Sequence, residues 1–225
     1  MQMVQQGQAL HGYAVFAYDQ TEGKGQMGKV WKTEPNCNIV LSVVLDTSFL
    51  QLNQQFFVSA MVAVAVHDFF YAHAGDATKI KWPNDIYWKD RKAGGILIEN
   101  NVRGNSWNWA VTGIGLNINQ TIFPDYLPNP VSLKQITGKI YDPTELAKEL
   151  CNCLEFRYKE LKSNQHKKLL DTYNNHLYKL EEEVKLKKDN IVFPCKIKGV
   201  SNAGELLVGS ALFPEFNFGE VEWIL

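Results

Sequence analysis

Residues that can act on a charged substrate lie close together between Lys81 and Glu99. Lys92 supplies a cation, while Asn84 and Asp85 supply an amide and a carboxylate. Proline fixes its own φ and pushes the preceding residue into an extended conformation, so the Trp82-Pro83 step predicts the end of a strand. We therefore expect a hairpin that brings the lysine back towards the carboxylate.

Two glycines, Gly94 and Gly95, precede the apolar run Ile96–Ile98, which predicts the second strand of this hairpin. Glycine inside a strand often marks a place where a ligand or another backbone comes close. The hairpin is therefore a candidate ligand site. The alternative is an ordinary hairpin whose turn, Lys89–Lys92, is simply solvated.

A second candidate is the stretch Gly23–Gly28, which has the spacing G-x-G-x-x-G. In dinucleotide-binding proteins this spacing opens a helix. Here the continuation through Pro35 has no helical periodicity, and the next regular element is the strand Ile39–Leu45, so we reject a Rossmann interpretation. The backbone N–H groups of the glycines, together with Lys24 and Lys29, instead favour a mobile basic loop that binds phosphate. A plain connector is the alternative.

A third candidate is Gly113–Asn119, in which glycines alternate with larger residues before Asn117 and Asn119. This pattern places side-chain amides at a strand end with little bulk around them. Such a place suits a small polar ligand or a metal-bound phosphate. A strand with a bulge is the alternative interpretation.

Hydrophobic periodicity predicts the elements that position these motifs. A strand over Tyr13–Ala17 precedes the glycine-rich stretch, and an apolar helix over 53–73 should be buried against a sheet. Trp107–Thr112 should form the third strand of the meander, after a turn at Asn100–Asn105. The proline-containing stretch Gln120–Tyr141 predicts an irregular loop.

Two packing helices should follow. The first begins at Asp142, with aspartate at the N-cap, proline at N1 and glutamate at N3. The second covers Gln165–Tyr178. From Glu181 onward, short alternating runs and a tight turn at Asn202–Gly204 predict a small all-β unit. That unit is near the size at which isolated domains become marginal, so it should pack on the main domain.

Composition excludes several classes of function. Apolar residues make up 45% of the 225, which is enough for a full core. The net charge of −1 lacks the positive excess that binding to nucleic acid or to an anionic membrane requires. Met1–Leu10 lacks the features of a secretory signal. The four cysteines lack CxxC spacing, which favours reduced thiols over disulfides. We therefore expect a cytoplasmic protein without nucleic-acid or membrane partners. The cysteines are Cys37, Cys151, Cys153 and Cys195.

Taken in order, the three motifs resemble those of biotin protein ligases, over nearly the whole chain. The family's glycine-rich loop matches Gln20–Trp31, its lysine-bearing hairpin matches Lys81–Glu99, and its asparagine strand matches Gly113–Asn119. Leu127–Leu133 also resembles the loop before the family's helical pair. Three motifs in the right order are far more specific than any one of them.

The resemblance implies an α+β fold, with a mixed sheet flanked by helices as in class II aminoacyl-tRNA synthetases. A biotin- and ATP-binding catalytic domain would cover 1–180, and a small C-terminal SH3-like β-barrel would cover 181–225. It also implies an ATP-dependent ligase. The biotin carboxylate attacks the α-phosphate of ATP, with Mg²⁺, to give biotinyl-5′-adenylate and pyrophosphate. A lysine of a biotin carboxyl carrier domain of a carboxylase then attacks the adenylate.

The resemblance also implies roles for individual residues. Both partners in the first step are anionic, so Lys92 is the candidate for stabilising charge on the phosphate. Asp85 is similar to the family aspartate that hydrogen-bonds biotin or the attacking amine. Asn117 would reach the metal or the phosphate. The other residues expected to bind biotin or the adenylate are Gln20, Gly23, Lys24, Gly25, Gln26, Trp31, Trp82, Asn84, Gly94, Gly95, Ile96 and Leu97.

This chain departs from the family pattern in two places. The family loop is usually richer in arginine, where this chain has Lys24, Gln26 and Lys29. Lysine cannot give arginine's bidentate grip on phosphate, so we expect the loop to retain the adenylate less tightly. The family's Ser-Thr-Asn strand end is missing, because the chain begins at Met1 within the expected first helix. Without a DNA-binding module ahead of the catalytic part, we expect no repressor role.

Two other functions remain open at this point. A lipoate or octanoate ligase or transferase shares the fold, and the glycine-rich loop with Trp31 favours biotin over it. A non-catalytic adenylate-binding or scaffold protein is the alternative from another class. The sequence also leaves open which carboxylase is modified and whether the protein forms a homodimer.

Overall fold

A computed structural model describes residues 1–8, 10–28, 30–104, 106–210 and 213–224. Over these ranges the chain forms two sheets and a set of helices. The helices are α1 (Gln2–Gln5), α2 (Gln55–Ala74), α3 (Leu133–Thr137), α4 (Pro143–Lys162) and α5 (His166–Asn175). The strands are β1 (Ala14–Phe16), β2 (Ile39–Asp46), β3 (Thr78–Lys81), β4 (Asp85–Trp88), β5 (Arg91–Arg103), β6 (Ser106–Leu116), β7 (Glu183–Lys188), β8 (Ile191–Val200), β9 (Leu206–Gly209), β10 (Glu215–Phe216) and β11 (Glu222–Ile224).

The main sheet has the strand order β1-β2-β6-β5-β4-β3, and its neighbouring strands pair antiparallel. Isolated parallel bridges also join Ile80 to Leu177 and Lys92 to Pro130, so the parallel pairing in this otherwise antiparallel sheet is limited to single bridges. Side chains alternate between the faces of a strand. Because Ile114 is buried in the core, its neighbours in β6 lie on the opposite face.

Helix α2 is the centre of the core, as its all-round apolar sequence predicts. It contacts α4, α5 and the main sheet, and Val58, Met61 and Phe70 are almost completely buried. Among the described residues, Leu52–Ala74 is the one helix long and apolar enough to cross a membrane, but 67% of its apolar window is buried. Packing against the sheet and the other helices therefore accounts for its composition.

Three predicted boundaries were wrong. Strand β5 continues through Arg103, where a turn was expected from Asn100, because β6 pairs with it along this length. The predicted loop Gln120–Tyr141 contains helix α3, which begins with a capping box between Ser132 and Gln135. Helix α5 ends at Asn175 rather than Tyr178, because the following backbone pairs with β3 instead.

The second sheet has the order β10-β9-β8-β7-β11 and provides the small C-terminal β unit that was expected. Asn174 of α5 joins it to the helices, since its Nδ2 donates to the carbonyl of Val200 at 3.1 Å and its Oδ1 accepts from the amide of Val200 at 2.8 Å. A domain boundary at residue 180 stays a prediction, with the first strand of this sheet beginning at Glu183.

A charge network ties the helices together around Glu160, which is 6% exposed. Its two carboxylate oxygens accept hydrogen bonds from Arg157 and from Lys168, each at 2.6 Å. Arg157 also donates to Asp68 of α2 at 2.6 Å. Burial raises the pKa of Glu160, but the hydrogen bonds from Lys168 and Arg157 outweigh it and hold the pKa below its ordinary value.

We predict that Glu160→Gln lowers the free energy of unfolding at pH 7 by about 1–3 kcal/mol, because charged hydrogen bonds are lost. A lowered folded-state pKa contributes stability above the ordinary glutamate pKa of about 4.3 and loses it as the pH falls through the folded-state value. The difference between wild type and Glu160→Gln should therefore shrink as the pH falls below about 4.3, the ordinary glutamate pKa. Urea unfolding at pH values above and below this pKa measures it.

Glu155→Gln is the matched control, because Glu155 lies on the same helix and pairs with Lys159 at the surface. Exposed pairs contribute about 0–1 kcal/mol, so this change should be small. A Glu160→Gln effect equal to that of the control, or independent of pH, would contradict the role assigned to the buried network.

Candidate active site

The hairpin of β4 and β5 holds Lys92 against Asp85. The Nζ of Lys92 donates to Oδ1 of Asp85 at 2.7 Å, and the two side chains are 32% and 22% exposed. Asp85 pairs with Gly95 in the strand register, while Lys92 pairs with Tyr87, so the lysine side chain reaches along the strand to the carboxylate. The predicted return of the lysine is thus present, and Lys92 is not part of a freely solvated turn.

Gly95 and Gly115 pair across β5 and β6 and leave the sheet surface bare beside these charges. A Cβ on Gly95 would lie 3.3 Å from Oδ1 of Asp85 and 3.6 Å from Nζ of Lys92. A Cβ on Gly115 would lie 2.5 Å from the ring of Trp31. Glycine at both positions therefore lets an ion pair and an indole lie close to the backbone. Gly94, by contrast, lies against Leu116 on the core side.

The glycine-rich loop folds back on itself and opens no helix. Gln26–Gly28 forms a short irregular turn in which Met27 has a left-handed backbone conformation (φ 54°), and the amide of Trp31 donates to the carbonyl of Gly23 at 2.9 Å. A Cβ on Gly23 would overlap the carbonyl of Trp31 and lie 2.8 Å from Oε1 of Gln20. The loop therefore brings Gln20, Gly23 and Trp31 together, and a Rossmann arrangement is excluded for this stretch.

The indole of Trp31 connects the loop to the hairpin, because Nζ of Lys92 lies 6.0 Å from its ring centre. Its Nε1 is buried without a hydrogen-bond partner in the described structure. Lys24 is exposed and Gly25 is half-buried. Lys29 lies outside the described residues.

Asn117 holds the backbone beneath the lysine. It is 6% exposed, and its Nδ2 donates to the carbonyl of Val131 at 3.2 Å and approaches that of Lys92 at 3.5 Å. The backbone of Lys92 is bonded on both sides, to the carbonyl of Asn129 and the amide of Val131, at 2.8 Å each. No cluster of three or more metal-binding side chains (His, Cys, Asp or Glu) occurs in the described ranges, so a metal role for Asn117 stays a prediction.

Two predicted ligand residues are largely buried in the hydrophobic core, and one of them, Ile96, also forms part of the wall of a cleft. Trp82 is 4% exposed and Ile96 is 3% exposed, and both belong to the main hydrophobic cluster. Leu97 is half-buried. Asn84 makes two hydrogen bonds to Ile96. Its side-chain Nδ2 donates to the carbonyl of Ile96, and its backbone carbonyl accepts from the amide of Ile96 at 2.9 Å, so Asn84 fixes the start of β4 to β5.

A cleft of about 280 Å³ lies between the main sheet, the start of α2 and the second sheet, and its lining includes neither Lys92 nor Asp85. Gln26, Asn84 and Ile96 were predicted site residues that line it. Phe56, Asn217 and Phe218 also line it but were missed, because nothing in their local sequence indicates that they meet there. The other lining residues are Gln55, Ser59, Pro83, Ile98, Asn100, Ala203 and Gly204.

Known proteins resemble this chain along much of its length. Bifunctional ligase/repressor BirA of Bacillus spizizenii is 31% identical over 204 residues, covering 89% of this chain and 62% of the relative. A biotin--[acetyl-CoA-carboxylase] ligase of Paracoccus denitrificans is 33% identical over 140 residues, covering 58% of this chain and 56% of the relative. The chain thus spans less than two thirds of the length of these relatives.

The fold matches a solved structure over nearly its whole length. The biotin protein ligase of Aquifex aeolicus, in complex with biotin and ATP, superposes with a TM-score of 0.81 at 25% identity, covering 96% of this chain and 90% of the other. The family model for the biotin/lipoate A/B protein ligases matches residues 3–117, which include the glycine-rich loop, the lysine hairpin and Asn117. This chain belongs to the biotin/lipoate A/B protein ligase family.

Proposed function

We propose that this protein is a biotin protein ligase, which activates biotin with ATP and transfers it to a lysine of another protein. The observation that carries the proposal is the Lys92–Asp85 pair at 2.7 Å beside the bare backbone of Gly95 and Gly115. The names of the relatives support biotin as the acid, and the Aquifex aeolicus structure supports biotin and ATP as substrates.

Lys92 is suited to the first step because that step joins two anions. The biotin carboxylate attacks the α-phosphorus of ATP, a P–O bond forms, and the bond to the β-phosphate breaks to release pyrophosphate. Negative charge grows on the α-phosphate oxygens, and a fixed ammonium beside them lowers the barrier. The backbone hydrogen bonds of Lys92 to Asn129 and Val131 fix the position of the Cα from which the side chain extends.

Asp85 is suited to accept hydrogen bonds in both steps. Its carboxylate lies on the open face, where it can accept an N–H of biotin or of the incoming lysine amine. In the second step the amine attacks the acyl carbon of the adenylate, an amide forms, and AMP leaves. Enclosure of the adenylate by the loop Gln20–Trp31 would protect it from water.

Mg²⁺ enters this scheme as part of the MgATP substrate. Mg²⁺ is commonly held by substrate phosphates and water with few protein ligands, which suits a site without a dedicated cage of acidic groups in the described ranges. Asn117, at the end of β6, is the side chain we propose to face the metal or phosphate.

The partner we propose is the biotin carboxyl carrier domain of a biotin-dependent carboxylase, supported by the printed name of the Paracoccus denitrificans relative. We place the protein in the cytoplasm, consistent with the burial of its apolar helix α2. We also propose division into a catalytic domain, 1–180, and a C-terminal domain, 181–225. Homodimer formation and the lack of a nucleic-acid partner stay predictions from the sequence.

Substrate choice tests the proposal directly. We expect pyrophosphate release from MgATP with biotin and much less with lipoate, because the names of the relatives and the Trp31 loop favour biotin. Equal or faster release with lipoate would replace biotin by lipoate as the acid. No release with either acid would leave a binding or scaffold function and overturn the proposed activity.

We predict that Lys92→Ala lowers the rate of adenylate formation by at least about 100-fold, in line with loss of one electrostatic stabiliser. Circular dichroism should remain unchanged, because the side chain is partly exposed. Lys89→Asn is the matched control: it removes a cation from the same hairpin at a position with φ 52°, which asparagine tolerates. Near-normal turnover by Lys92→Ala would remove the lysine from its assigned role.

We predict that Gln26→Arg slows release of the adenylate, because arginine adds a bidentate phosphate contact to the loop. Gln26→Lys is the control, since it adds the charge without the planar fork. The measurement is loss of labelled adenylate from the enzyme in the absence of an acceptor protein. Release from Gln26→Arg as fast as from wild type would show that the loop composition does not limit retention.

A further inference from the structure

The indole of Trp82 turns away from the open face of the site and bonds to the second sheet. Its Nε1 donates to the carbonyl of Gly204, in the turn between β8 and β9, at 2.9 Å. Gly204 has φ 95°, and a Cβ there would lie 2.5 Å from the ring of Phe56. Close packing on α2 therefore fixes the position of the acceptor carbonyl, and glycine is required for that packing.

The next residue along the chain is anchored in a similar way. The carbonyl of Pro83 accepts a hydrogen bond from the hydroxyl of Tyr173 on α5 at 3.1 Å. Tyr173 is completely buried, and burial together with the Asp85 carboxylate raises its pKa, so the hydroxyl stays a donor. The two residues before Asn84 and Asp85 are thus both held by groups from the C-terminal part of the chain, Gly204 and Tyr173.

The turn that carries the Gly204 carbonyl, the acceptor for Trp82, is itself held in place. Asn174, next to Tyr173 in α5, bonds to both the amide and the carbonyl of Val200, at the end of the strand that leads to Gly204. The edge of the Phe218 ring also lies against the Trp82 indole, with ring centres 6.4 Å apart. A shift of the second sheet would therefore also displace Trp82 and the start of β4.

We infer that Trp82 is a positioning residue, through which the turn at Gly204 of the second sheet sets Asp85 against Lys92. The inference rests on the proposed function. Asp85 is the first residue of β4, a strand of four residues, so its carboxylate depends on how the preceding segment is held. A displacement of about 1 Å in an active site can lower a rate by about 100-fold.

Trp82→Phe tests this inference, because phenylalanine keeps aromatic bulk but removes the N–H donor. Trp88→Phe is the matched control. Trp88 lies at the other end of β4, and its Nε1 donates to the carbonyl of Ala74 at 3.1 Å, so the control loses an equivalent bond away from Asp85. Thermal unfolding should show similar, modest losses for the two variants.

The decisive readout is the division between kcat and KM in biotin-dependent pyrophosphate release. For Trp82→Phe we expect kcat to fall by about tenfold or more with KM for biotin within about threefold, because geometry is lost rather than binding. For Trp88→Phe we expect kcat within about twofold of wild type. In a Lys92→Ala background, Trp82→Phe should cause no further loss, since its effect passes through the lysine pair.

A folded Trp82→Phe with kcat near wild type, or an equal loss in both backgrounds, would overturn the inference. If Trp82→Phe does not fold, Tyr173→Phe removes the hydroxyl that holds the carbonyl of the neighbouring Pro83 and should give the same loss of kcat, because the same segment loses an anchor. An inactive wild type would instead overturn the proposed function, so the two failures are distinguishable.

Discussion

Gly95 pairs with Gly115 across β5 and β6, and this register determines both the core and the open face of the sheet. Ile96 and Ile114 pair next to them and enter the core. A slip of one residue in a strand exchanges its two faces, so it would bury the glycine face and expose isoleucine. The hydrophobic effect on one side of the sheet thereby fixes the bare surface on the other.

In the proposed reaction the charges on that surface exchange partners with the substrate. The Lys92–Asp85 pair is partly exposed, and pairs of this kind contribute only about 0–1 kcal/mol. An anionic ligand can therefore draw the ammonium away from the carboxylate at little cost. The carboxylate is then left to accept a hydrogen bond from an amine or amide. A fully buried pair would resist this exchange, because separating buried charges is expensive.

Local signals in the sequence were enough to predict the parts of the fold that depend on neighbouring residues. Lys92 follows Asp85 by only seven positions in the hairpin that joins them, and Asp142 accepts hydrogen bonds from the amides of Thr144 and Glu145 as its N-cap pattern predicts. The end of α5 was predicted wrongly, because its last residues gain more by pairing with β3, a long-range contact that periodicity does not report.

The candidate site shows the same limit. The loop, the hairpin and the asparagine strand have local signatures, so their residues were predicted as members of one site. Trp82 was expected to line the ligand, but its partner Gly204 is 122 residues away in the sequence. Only tertiary packing decides whether an indole after a strand faces the ligand or the core, because both positions favour an aromatic residue.

The second sheet contacts both halves of the site, but with different strength. At the hairpin it provides a partly buried hydrogen bond to Trp82. At the glycine-rich loop its contact is slight: Met27 is 71% exposed, and its Cε lies 3.6 Å from where a Cβ on Gly219 would stand. Segments with few buried contacts open at low cost in free energy. In the proposed reaction the loop would open to admit substrates while the hairpin that carries Asp85 and Lys92 stays fixed.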